Sequence, residues 1–70
     1  MSSDADDVVG RVCRITSRVR GADGPGEVLV AIRGGTDTYL AYADDEISAG
    51  TEVVVVAKRP GRAVDVRSLY

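Results

Sequence analysis

A small all-β barrel of five antiparallel strands, with little or no helix, is the fold that this 70-residue sequence predicts. The first reason is the uninterrupted valine run 53–56. β-Branched side chains are stiff at χ1 and pack well on a pleated surface, and a run without polar breaks reads as a strand covered on both sides. The second is the turn punctuation, above all Gly34-Gly35 and Pro60-Gly61, which sits between runs rich in β formers. The third is aromatic poverty: three tyrosines and no Phe or Trp leave Val, Ile, Leu and Ala to build the core. Small branched side chains suit a tightly curved barrel.

The first strand candidate runs from about Val8 to Arg20, with Val9, Val12, Ile15 and Val19 as its apolar members. Their spacing looks helical, but β-branching, the internal Gly10 and the missing capping box argue for a long strand. A bulge or bend accounts for the change of parity, placing Val12 inside with odd positions on either side of it. The segment 21–26, with three glycines and Pro25, is a loop. Strand two is Glu27 to Arg33, with Val28, Val30 and Ile32 alternating against Leu29 and Ala31. Gly34-Gly35 is a two-residue hairpin turn leading into strand three, Thr36 to Ala43. The connector Asp44–Gly50 has room for one helical turn capped by Asp44 or Asp45, with Ile47 plugging the barrel end. Strand four, Thr51 to Lys58, turns at Pro60-Gly61 into strand five, Arg62 to Arg67. The expected interior is Val12, Val28, Val30, Ile32, Val53, Val55, Val64 and Val66. Five strands, the first long and bent, with a connector after the third, form the ground plan of an OB-fold covering residues 8–70.

Composition excludes several functions. The net charge is −2, yet residues 1–7 hold Asp4, Asp6 and Asp7 with no base. That stretch reads as a disordered acidic tail, and the body that follows is nearly neutral. Such a body lacks the positive field of a general nucleic-acid binder. Cys13 is the sole cysteine and there is no histidine, so neither a disulfide within the chain nor a zinc site is expected. Cys13 reads as a buried or edge-strand thiol without special role. The longest apolar run, Val53–Ala57, is far short of a membrane span, so the chain as given reads as soluble.

Chemical motifs fail in turn. Gly21, Gly24 and Gly26 are not followed by a helix or by the Lys-Ser/Thr of a phosphate loop. Asp44, Asp45 and Glu46 lack the spaced series of a calcium loop. Ser17, Ser48 and Ser68 have no histidine to activate them. No catalytic residue, cofactor or metal is expected, and the chain does not read as an enzyme.

The order Gly10-Arg-Val12, Gly26-Glu-Val28-Leu-Val30, Gly34-Gly-Thr-Asp-Thr-Tyr39-Leu-Ala41, Ile47-Ser-Ala-Gly50-Thr-Glu-Val53-Val-Val55 and Arg62-Ala-Val64-Asp-Val66 resembles the C-terminal OB-fold domain of NfeD-like proteins. The resemblance covers about residues 9 to 69. It implies a non-catalytic protein-interaction module, partnered by stomatin- or flotillin-like membrane scaffold proteins. It also implies a cytoplasmic or membrane-associated setting, as the soluble part of a membrane protein. No membrane segment precedes Val8, so the sequence reads either as an excised domain or as a short soluble relative.

Strand alternation leaves Leu29, Leu40 and Tyr42 outside, flanked by Arg33 and Asp37. An apolar centre with a polar rim has the make-up of a small protein interface. The alternative is single-stranded nucleic-acid binding, with Arg11, Arg14, Arg18, Arg20 and Arg33 on the first two strands. Against it, Tyr39 and Tyr42 point to opposite faces and acids lie nearby.

Overall fold

The computed structural model of the chain describes residues 8–32 and 34–69. The strands are β1 (Val12–Ser17), β2 (Val19–Arg20), β3 (Gly26–Ile32), β4 (Gly35–Tyr42), β5 (Glu46–Ile47), β6 (Glu52–Arg59) and β7 (Ala63–Ser68). Among the described residues the only helical element is a 3-10 turn at Gly21–Asp23. The expected acidic tail 1–7 lies outside the described residues.

Five strands close a barrel in the order β1-β3-β4-β7-β6, with β6 returning to β1. Four ladders are antiparallel and one, β4 with β7, is parallel. The parallel pair is a matter of arithmetic. An odd number of strands cannot alternate direction all the way round a closed ring, so one neighbouring pair must run the same way.

The first strand departs from expectation. It breaks at Arg18 into β1 and β2, and against β3 its register slips between Ile15 and Ser17. That bulge lies downstream of Val12, so Val12 keeps outward parity and is 58% exposed. Cys13 takes the inward place instead, beside Ile15. Residues 8–10 form a turn rather than strand. The Arg11 amide donates to the Val8 carbonyl at 3.1 Å and the Gly10 amide to the Val55 carbonyl at 2.7 Å. The turn folds Val8 into the core and leaves Val9 outside, reversing the expected order.

Val28, Val30, Val53, Val55, Val64 and Val66 are all buried, as alternation predicts, and pack with Ile15, Val19, Ala41 and Ile47. The side chain of Ile32 lies outside the described set. Each such side chain contributes roughly 1.5–3 kcal/mol by leaving water. The hairpin between β3 and β4 closes at Ile32↔Gly35, one residue earlier than the glycine pair suggested. Gly34 takes the turn position that needs positive φ, at 81°.

The connector after β4 makes no helical turn. Glu46 and Ile47 extend as β5 and pair with β2, Val19↔Ile47 and Arg20↔Glu46. Ile47 is thereby driven into the core, as its plugging role required. Gly26 starts β3 where β1 bends into β2. A Cβ there would stand 2.2 Å from the Ser17 carbonyl oxygen and 2.5 Å from that of Arg18.

Candidate functional site

Of the expected interface residues, three share the outer face and Asp37 does not. Val28, Val30, Tyr39 and Ala41 share the inward parity of β3 and β4, which leaves Leu29, Leu40 and Tyr42 outward. Leu29 pairs with Thr38 and Leu40 with Glu27, so the two leucines sit diagonally across one ladder on the outer face. They are 40% and 43% exposed. Diagonal neighbours are within reach of long side chains, so the pair forms one small apolar spot.

Tyr42 shares that outward face two residues beyond Leu40, and its partner across the parallel ladder is Asp65 of β7. The Arg59 guanidinium stacks over its ring at 4.0 Å and donates through Nε to Asp65 Oδ1 at 2.8 Å. This fixes the ring against the outer wall. Asp37 does not flank the outer spot. It pairs with Val30 on the ladder and so carries inward parity at the barrel mouth, where Arg62 holds it at 3.3 Å. The physical reason is alternation itself, since 37 shares the parity of 39 and 41. Arg33 lies outside the described residues.

Tyr39 packs partly against the core, with Lys58 and Arg62 each 5.9 Å from its ring centroid. The Lys58 ammonium also donates to the Gly61 carbonyl at 3.0 Å. Among the described residues, the rings of Tyr39 and Tyr42 are therefore both attended by the protein's own cations. The basic residues of β1 and the following turn are similarly tied: Arg18 to Glu46 at 3.2 Å, Arg14 to Glu52 at 3.9 Å. Pairs this exposed contribute little to stability, but they neutralise the field a polyanion would need.

A feature absent from the sequence reading lies beside Tyr42. The parallel ladder ends at Tyr42↔Asp65, while β7 continues to Ser68 and β4 gives way to the connector. The divergence opens a groove of about 790 Å³ between the connector, residues 43–47, and the outer surface of β6 and β7. Val56, 46% exposed, lies in it on the outward side that alternation gives it next to buried Val55, and the bulge between Val55 and Ala57 turns Ala57 to the same side. Alternation with Val53 and Val55 inside marks Val56 as outward, but the groove around it depends on the path of the connector, which no residue pattern marks.

Cys13 is buried, and burial raises its thiol pKa, with Arg11 pulling it weakly down. Among the described residues, no group of three or more His, Cys, Asp or Glu side chains could hold a metal ion. Among them also, no helix is long and apolar enough to cross a membrane.

Comparison with known proteins adds what geometry alone does not. The model of the NfeD C-terminal domain matches residues 10–67. The chain belongs to the NfeD C-terminal domain family. The soluble domain of the NfeD protein YuaF from Bacillus subtilis, solved in solution, superposes with a TM-score of 0.77 at 32% identity. The match covers 91% of this chain and 76% of that one. No curated protein matches. The barrel agrees with the expected fold, and the family with the one that the sequence resembles.

Proposed function

We propose that this NfeD-type domain is a non-catalytic protein-interaction module that docks a stomatin- or flotillin-like membrane scaffold protein. The outer apolar spot of Leu29 and Leu40 carries the reading. Two large aliphatic side chains stand exposed on a rigid ladder, ringed by Glu27 and Thr38, in a chain whose other leucine is Leu69 near the terminus. Exposed leucines held on strands lose little further entropy on binding, which favours them as interface anchors. Their neighbours give the polar rim that excludes water from such a centre.

The test is a pull-down of a stomatin-like scaffold protein by this domain and by Leu29→Asp combined with Leu40→Asp. Both positions face solvent, so the double variant keeps its β-type circular dichroism and cooperative melt. Capture of the scaffold falls at least tenfold. Undiminished capture by a folded double variant would place the interface elsewhere and refute this assignment.

A further inference from the structure

We propose that the groove between the connector 43–47 and β7 receives an extended segment of a partner protein that alternates basic and apolar residues. The proposal concerns a surface other than the Leu29–Leu40 spot and holds whichever protein meets that spot.

Three observations on the groove point to this occupant. Its floor carries an apolar strip where β6 passes beneath it, with Val56 exposed beside Ala57, while β7 contributes Asp65 and Arg67, and Tyr42 is held at one end by Arg59. Its wall is acidic, through Asp44, Asp45 and Glu46, and Arg67 is the one base among its lining residues. Glu46 is already paired with Arg18, whereas Asp44 and Asp45 have no ion-pair partner among the described residues. A strand-like peptide presents alternate side chains to opposite sides. Lysine or arginine on one side would meet Asp44 and Asp45, and valine or leucine on the other would cover Val56.

Charge also removes the competing occupants. The chain's own first seven residues carry three aspartates and no base, so they are repelled by this wall. A nucleic acid is repelled for the same reason. A second copy of the chain could offer Arg18 and Arg20, which makes self-association an outcome to be measured.

The probe is a fluorescein-labelled hexapeptide alternating lysine or arginine with valine, titrated with the whole chain and read by anisotropy. The control is the same peptide with glutamate at every basic position. The basic peptide binds and the acidic one does not, and affinity falls as salt is raised from about 0.05 to 0.5 M, as screening of exposed charges requires. Asp44→Asn with Asp45→Asn weakens binding about five- to tenfold, as loss of two partly exposed ion pairs implies. Val56→Lys weakens it at least as much. Leu29→Asp with Leu40→Asp leaves it unchanged, which separates this groove from the scaffold-binding spot. Amide shifts on titration concentrate at residues 42–47 and 65–68. Equal binding to the Asn double variant, equal binding of the acidic peptide, or no binding at millimolar peptide overturns the proposal. So does a dimer in sedimentation that the Asn double variant abolishes.

Discussion

Adding a single methyl group at Gly26 probes how closely two backbones approach at the bend of the first strand. A Cβ there would stand 2.2 Å from the Ser17 carbonyl oxygen, 2.5 Å from the Arg18 oxygen and 2.6 Å from the Arg18 carbonyl carbon. Carbon–oxygen contacts normally begin at about 3.3 Å, so two oxygens must each retreat by roughly 1 Å. Neither belongs to a side chain that can rotate away. Ser17 is held to β3 opposite Glu27, and the Ser17 hydroxyl donates to the Glu27 carboxylate at 3.2 Å. Relief therefore requires moving a strand. Overpacking of this kind costs about 1–3 kcal/mol where side chains can adjust, and Gly26→Ala belongs at or above the upper end. A domain of this size has roughly 4–10 kcal/mol of stability in all. At 4–8 °C per kcal/mol, a loss of about 3 kcal/mol lowers the melting temperature by roughly 12–24 °C. Gly35→Ala is the matched control: it adds the same atom in a strand, with nothing within 4 Å of the new Cβ and no positive φ. Thermal and urea unfolding followed by circular dichroism read both variants. If Gly26→Ala melts within about 3 °C of Gly35→Ala, the bend yields easily and the reasoning is wrong.

Val55→Ala, at a fully buried site, costs about 1–3 kcal/mol in urea unfolding, whereas Val12→Ala, on the outer face, changes stability by less than about 0.5 kcal/mol. Cys13 is alkylated slowly by iodoacetamide at pH 8 in the native domain and rapidly in urea, because burial both shields the thiol and raises its pKa from the ordinary thiol value. A thiol whose pKa is raised on folding leaves stability intact below the unfolded value and reduces it as pH climbs from there towards the folded value. The unfolding midpoint accordingly drops as pH rises past the unfolded thiol value of about 8.5, and Cys13→Ala removes that part of the drop. Arg59→Ala removes both the stack on Tyr42 and the Asp65 hydrogen bond, yet costs at most about 1 kcal/mol because these groups are partly exposed, as a thermal melt will check.

How far the sequence carried the fold can be judged residue by residue. Strands β3, β4, β6 and β7 were legible because strict alternation and strong turn residues agree there, and Val28, Val30, Val53 and Val55 fell inside as alternation demands. Val12 was misplaced because a bulge shifts parity at one point, and residue types do not mark which point. The chain bulges at Ile15–Ser17, so Cys13 and Ile15 face inward while Val12 faces solvent. Pairing of β2 with β5 was invisible because two-residue strands have no period to read. The leucine pair was legible from alternation alone. Asp37 shares the parity of Tyr39 and Ala41, and so faces the barrel mouth and not the outer spot it was expected to flank. The groove could not be read at all, since it arises where two strands of unequal length part company.

Closure of the barrel also governs the fate of its most dangerous segment. Residues 53–56 combine high β propensity, no charge and no proline, the composition of an aggregation-prone stretch. In the folded domain residues 53–55 of β6 are paired with β1 and residues 10–11 on one flank and with β7 on the other, so this part of the run offers no open edge. That protection arrives late. During synthesis β6 emerges before β7, and until the last strand docks, both β4 and β6 present unpaired edges with the valines between them. A chain cut after Pro60 would keep the valine run and lose the strand that seals it. Such a fragment is expected to assemble edge to edge where the whole domain stays apart.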